Sequence, residues 1–101
     1  MENMAIMCAG FTTGNVNHDE FNDWYDTEHL PRLAAVPGCL CARRFKAASG
    51  PNQYFALYHL ETPDVCASPQ WKSPAVTPWT VRMRAHTSAH LRIVMRRYAK
   101  A

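Results

Sequence analysis

His29 is the side chain in this sequence best placed to do chemistry. It ends the run Trp24-Tyr25-Asp26-Thr27-Glu28-His29, with Asp26 one helical turn back and Glu28 beside it. An imidazole oriented by a carboxylate serves as general base or acid near neutral pH, so His29 and Asp26 are the expected catalytic pair. Trp24 and Tyr25 imply an aromatic pocket wall next to them. A second group is Trp79, Arg82 and His86, whose i, i+3, i+7 spacing puts them on one helix face. Aromatic walls with a guanidinium suit a flat anionic or phenolic ligand. Arg43 and Arg44 are consecutive on a predicted strand, so one must face inward, where it needs an anion, an acid of the first helix being favoured over a substrate carboxylate. If a substrate anion is held, Arg44 or Arg82 is the expected holder, with Trp24, Tyr58 and Trp79 as the expected lining; which of Arg43 and Arg44 faces inward is left open. His59 reads as a core histidine bonded to a backbone group. The acids around His29 have no second ligand set at suitable spacing, so neither a metal nor a cofactor is expected. No serine sits in a nucleophile elbow and no Gly-rich phosphate loop exists, which argues against covalent serine chemistry and nucleotide use.

The elements that must position these groups follow from punctuation and periodicity. Residues 4 to 11 form an apolar run consistent with a buried strand, followed by a polar turn from Thr12 to Asn17. Asn17 reads as an N-cap with Glu20 reaching back as in a capping box, and Val16 and Phe21 as a hydrophobic staple. Phe21, Trp24 and Tyr25 then run along one helix face into Glu28 and His29. Pro31 disfavours helix at Leu30, so a break or kink is expected there. That would leave His29 at a helix C-terminus, where the dipole favours a protonated imidazole. A second short helix, Pro31 to Val36, stops at Pro37-Gly38. Residues 39 to 47 and 53 to 61 read as a hairpin around Ser49-Gly50-Pro51-Asn52. Thr62-Pro63 and Thr77-Pro78 are cap-and-proline helix starts. The prolines between them require two or three short helices before His86. Residues 90 to 98 close the chain as a strand with Leu91, Ile93 and Met95 on one side.

Strand, helix, two strands, helix, strand is the split βαβ, ferredoxin-like arrangement, whose helices cover one face of the sheet. Yet the third strand is apolar on both sides: Tyr54, Ala56 and Tyr58 on one, Phe55 and Leu57 with His59 on the other. A chain this short has no second layer to cover the other face. A two-fold homodimer would provide it.

The 101 residues read as one domain spanning 1–101, 48% hydrophobic and 11% aromatic. The chain carries no apolar stretch of bilayer length and no basic leader, so it is expected to be cytoplasmic and to make no membrane contact. Cys8, Cys39, Cys41 and Cys66 match neither a zinc site nor a redox motif and read as reduced core residues. The net charge of +3 is unevenly spread. Six acids and one base lie through Gly38, and ten bases and two acids after it, or −5 against +8. The two halves should pack against each other or against a second subunit. The basic residues are interleaved with apolar ones, which argues against a nucleic-acid surface.

Trp24-Tyr25-Asp26-Thr27-Glu28-His29-Leu30-Pro31 followed by Pro37-Gly38 resembles the first-helix signature of small dimeric α+β barrel proteins, the EthD-like group in particular. The Arg43-Arg44-Phe45 strand and Thr77-Pro78-Trp79-Thr80 with Arg82 extend the match over nearly the whole chain. The resemblance implies a ferredoxin-like protomer, a dimeric barrel and a pocket between sheet and helices. Its relatives include cofactor-independent lyases, isomerases, cyclases, decarboxylases and monooxygenases of phenolic or quinoid compounds, as well as proteins without known activity. The leading expectation is a cofactor-independent lyase, decarboxylase, isomerase or cyclase acting by acid–base chemistry on a small aromatic or lactone-like acid. The alternatives are a cofactor-independent monooxygenase of phenols and a non-catalytic ligand-binding protein.

Overall fold

The computed structural model describes residues 4–12, 17–49, 53–72 and 77–98. Four strands, β1 (Ala5–Thr12), β2 (Cys39–Lys46), β3 (Gln53–Leu60) and β4 (Ser88–Arg96), form one antiparallel sheet in the order β2-β3-β1-β4. With a helical layer between β1 and β2 and another between β3 and β4, this is the expected ferredoxin-like α+β arrangement. The 49–52 turn and the Val16 staple fall wholly or in part outside the described residues. No helix among the described residues is long and apolar enough to cross a membrane.

The first helical layer departs from expectation in one respect. Helix α1 (His18–Trp24) does not break before Pro31; it passes through a π-helical turn, Tyr25–His29, straight into α2 (Leu30–Ala34). Proline lacks the N–H that an α-helix would use and crowds the preceding turn. Widening the turn relieves this, since the Leu30 amide now bonds the Tyr25 carbonyl, five residues back. His29 is therefore interior to a continuous helical rod, not at a C-terminus, and the dipole argument for a protonated ring does not apply. Asn17 caps α1 as expected, its side chain accepting from the Asp19 and Glu20 amides. Glu20 does not complete a capping box; its carboxylate pairs with Arg82 at 2.7 Å.

Among the described residues the second layer is three short pieces, within the two or three that the prolines require: a 3₁₀ turn (Pro63–Ala67), α3 (Pro69–Lys72) and α4 (Pro78–His86). Thr62 and Thr77 cap the first and last, accepting from the Asp64 and Thr80 amides.

Alternation along the strands sets the two faces of the sheet. Ala5, Met7 and Ala9 of β1 and Tyr54, Ala56, Tyr58 and Leu60 of β3 point into the helix side and are buried. Small residues on β1 leave room for the large side chains that α1 and the π turn bring down, Phe21, Trp24 and Tyr25. The other face carries Ile6 and Cys8, Phe45, Phe55 and Leu57, and Ile93 and Met95, which the strand registers bring side by side. Phe45, Ile93 and Met95 stand 40–48% exposed there.

Candidate functional site

The helix side of the sheet holds an aromatic cage around His29. Its ring stacks on Trp24, with centroids 4.8 Å apart and planes 21° from parallel. Tyr25 meets the same ring edge-on at 4.8 Å. Trp24 is fixed from above by α4, because its indole Nε1 donates to Thr80 Oγ1 at 3.1 Å. Thr80 is fully buried and also accepts from the Thr77 hydroxyl. Beneath, the Tyr25 and Tyr58 hydroxyls share a hydrogen bond of 2.9 Å in the core. Trp71 of α3 packs edge-on against Tyr58 at 5.2 Å. Helix, sheet and α4 thus converge on one imidazole.

The electrostatics of that imidazole are set by burial and by arginines. Desolvation first, then the charges of Arg32, Arg84 and Arg44, pull the His29 pKa from 6.5 down to about 4. The ring is neutral at pH 7 and can accept a proton but has none to give as a cation. Its Nδ1 accepts from the Arg32 guanidinium at 3.2 Å, one turn on, which leaves Nε2 carrying the proton. Burial pushes the Tyr25 hydroxyl up to about 12 and Tyr58 higher still, so both are protonated donors or acceptors and not bases.

Each expected site residue has a definite place. Asp26 does not orient His29; its carboxylate is taken by Arg44 at 2.9 Å. The π turn swings successive side chains by a smaller angle than an α turn, so one-turn pairings read at α spacing do not hold across it. Of the two adjacent arginines Arg44 is the inward one, and its anion is the helix acid. Its other arm donates to Asn22 at 2.8 Å and its guanidinium lies 4.4 Å from the centre of the Tyr25 ring. Arg82 is held on the surface by Glu20. Trp79 packs half-buried against the core, with its indole nitrogen buried and without an acceptor among the described residues. Tyr58 is wholly buried under Tyr25 and Trp71, a support and not an exposed wall. The His86 side chain lies outside those described. His59 is not a core group: on the open face it accepts from Arg43 at 3.1 Å. The four cysteines are free thiols, with Cys66 buried and Cys41 exposed. Among the described residues no three His, Cys, Asp or Glu side chains gather as metal ligands would.

Tyr25, expected as pocket wall, and Arg32, Thr80 and Arg84, to which sequence reasoning gave no site role, complete the surroundings of His29. Their signal was present as spacing, with Tyr25 and Arg32 four before and three after His29, and Thr80 and Arg84 one turn apart on α4. A cavity of about 240 Å³ lies elsewhere, lined by Met4, Ala5, Ile6, Met95, Arg96 and Arg97 at one end of β1 and β4.

No family model matches the chain, and no curated protein matches it in sequence. Solved structures do match its fold. SnoaB, a cofactor-independent oxygenase from Streptomyces nogalater, is 14% identical, with 97% of this chain and 96% of that one covered and a TM-score of 0.76. A candidate antibiotic biosynthesis monooxygenase from Chloroflexus aurantiacus is 13% identical over the same shares, at a TM-score of 0.67. HapK from Hahella chejuensis is 8% identical, covered to 97% and 95%, at 0.62. At these identities the likeness is one of fold alone, the ferredoxin-like α+β arrangement.

Proposed function

We propose that this protein is a cofactor-independent oxygenase of electron-rich phenols, with His29 as the base. The observation that carries this reading is the neutral imidazole, caged by Trp24 and Tyr25 and faced by three guanidiniums. The same positive charges that keep the imidazole unprotonated also favour a phenolate over a phenol in its neighbourhood. In this scheme the Arg32 guanidinium turns from His29 Nδ1 to the phenol oxygen, Nδ1 takes the phenol proton, and the substrate ring becomes electron-rich enough to react with dioxygen. Oxygen adds at a ring carbon that bears hydrogen, and the proton held by His29 goes to the outer peroxide oxygen. The O–O bond then breaks as the ring carbon gives up its hydrogen, leaving a carbonyl and one water. Phenol plus dioxygen becomes quinone plus water, and the substrate supplies all four electrons. The fold likeness to a protein described as a cofactor-independent oxygenase supports this choice over lyase or isomerase chemistry. So does the acid–base argument, because a decarboxylase must reprotonate a carbanion and a ring with a pKa of about 4 holds no cationic proton at pH 7.

The rest of the reading belongs to the same proposal. Trp24 and Trp79 flank the substrate ring, and the chain, as a single domain, pairs through its open apolar face as a homodimer. An EthD-like affiliation within the barrel proteins and a cytoplasmic setting fit the helix signature and the free thiols. The test is oxygen uptake over a panel of hydroquinones and naphthols, with product mass followed in parallel. Stoichiometric uptake with a product gaining one oxygen and losing two hydrogens is expected, and His29→Gln should lower kcat by about 10²–10⁴-fold. Turnover under strict anaerobiosis would overturn the reading in favour of a lyase or isomerase. Binding without conversion in air would leave a non-catalytic carrier.

A further inference from the structure

We infer that Thr80 of α4 is a positioning residue for His29, acting through the Trp24 indole. Its hydroxyl accepts from Trp24 Nε1 at 3.1 Å, and the His29 ring lies on that same indole, 4.8 Å between centroids and 21° from parallel. Packing alone sets a tryptophan plane loosely, because the torsion between Cβ and the ring is broad and roughly two-fold. A hydrogen bond from Nε1 selects one setting. Trp24 is buried, so any other setting would strand a donor away from water. The imidazole stacked on the indole inherits the choice, with Tyr25 meeting its ring edge-on.

The hydroxyl that receives the indole is itself fixed. In a helix a threonine divides between two χ1 settings, since its Oγ1 can turn back to a carbonyl of the preceding turn. Here the Thr77 hydroxyl donates to Thr80 Oγ1 at 3.2 Å while accepting from the Thr80 amide at 3.1 Å. The cap of α4 thus holds the rotamer that faces Trp24. Thr80 is wholly buried, whereas the rest of the described core is aliphatic, aromatic or sulfur-bearing. A valine there would fill nearly the same space with no hydroxyl to satisfy. What the hydroxyl adds is direction: cap, hydroxyl, indole and imidazole form one chain of contacts from the start of α4 to the π turn of the first rod. This role deepens the oxygenase reading by naming what aims its base, and it rests on that reading only for its effect on turnover.

The experiment follows the His29 ring resonance against pH in the full chain carrying Thr80→Val, Thr80→Ser, Trp24→Phe or Thr80→Val with Trp24→Phe, and measures oxygen uptake on hydroquinones alongside. Burial is the first cause that holds the ring at about 4. A loosened indole admits water, so Thr80→Val should raise the midpoint from about 4 toward 6.5. The charges that act on His29, Arg32 on its own rod, Arg84 on α4 and Arg44 on β2, all survive that substitution, so the rise reads burial. Thr80→Ser keeps the hydroxyl and should keep the midpoint. Thr80→Val should lower kcat by about 10–10²-fold with KM little changed, and Thr80→Ser should recover it. Trp24→Phe has no Nε1–H to offer, so adding Thr80→Val to it should move the midpoint no further. Thr87→Val deletes a comparable hydroxyl bond at the other end of α4, 2.9 Å to the Met83 carbonyl, and should leave the midpoint at about 4. If Thr80→Val does not fold, Thr77→Val at the half-buried cap should raise the midpoint in the same direction, and an unmoved midpoint there overturns the role. So does an unmoved midpoint in Thr80→Val, a Thr80→Ser that behaves like it, a further shift in the double variant, or an equal shift from Thr87→Val. A midpoint that obeys these rules without oxygen uptake by the parent would refute the oxygenase and leave the positioning standing.

Discussion

Removing the Arg44 guanidinium tests whether it is a structural clamp or a hand for substrate. Its side chain is only 14% exposed, whereas the Asp26 carboxylate it bonds at 2.9 Å is 63% exposed. Arg44→Met keeps the alkyl stem and deletes three contacts: the Asp26 bond, the 2.8 Å bond to Asn22 and the position 4.4 Å over Tyr25. The Asp26 bond faces water and is worth about 0.5–1 kcal/mol. The half-buried Asn22 bond adds about 1.5 kcal/mol, and the cation–π contact about 1 kcal/mol. The sum is about 3 kcal/mol, which for a domain of this size lowers Tm by more than about 10 °C. Asp26→Asn should cost only about 0.5–1 kcal/mol, since its carboxylate re-enters solvent readily. Urea unfolding of the two single variants and the double variant gives the pairwise coupling, expected near 0.5 kcal/mol. Arg44→Met with parent stability but without phenol turnover would refute the clamp and restore Arg44 as a ligand holder.

Other outcomes follow from the same geometry. His29 is held neutral when folded, so between about pH 6.5 and 4 the unfolded chain binds the extra proton; stability should fall with pH through that window by up to about 3 kcal/mol, and His29→Gln should flatten the fall in urea midpoints. Tyr58→Phe strands the buried Tyr25 hydroxyl and should cost about 1–3 kcal/mol, whereas Tyr25→Phe/Tyr58→Phe together should cost less than the two singles added, a comparison made by thermal unfolding. Gly38 has φ of +93° and a Cβ there would sit 2.6 Å from Val65 Cγ2, so Gly38→Ala should destabilise by about 1–3 kcal/mol in the same assay. Light scattering at micromolar concentration should give a dimer mass, and Leu57→Glu on the open face should turn it into a monomer.

Much of this was legible in the residues. Period-two alternation in β3 separated Tyr54, Ala56 and Tyr58 from Phe55 and Leu57, and cap-and-proline pairs fixed where the second helical layer starts. The position of His29 against aromatic neighbours was readable too, because Trp24 and Tyr25 precede it in one amphipathic run. What was not readable is the consequence of Pro31. A proline at that place either breaks a helix or widens it, and the local sequence does not choose; packing of Tyr25 and Leu33 against the sheet does. Once the turn widens, Asp26 moves to Arg44 and His29 to Arg32. The acid–imidazole pair dissolves, and the sign of the histidine's pKa shift reverses. Tertiary partners such as Thr80, 56 residues from Trp24, leave no local mark at all.

The charge asymmetry between the halves of the chain ties these points together. Two acids of the first helix, Glu20 and Asp26, meet Arg82 and Arg44 from the later half, so the halves do neutralise each other across the helix side of the sheet. Those pairings draw off two of the ten late bases and leave an excess. Part of it, Arg84 on α4, joins the one early base, Arg32, among the charges that hold the His29 ring neutral. Arg84→Gln should therefore let the His29 midpoint, read from its ring resonance against pH, rise from about 4 toward 6.5, and an unmoved midpoint would refute that share of the charge balance.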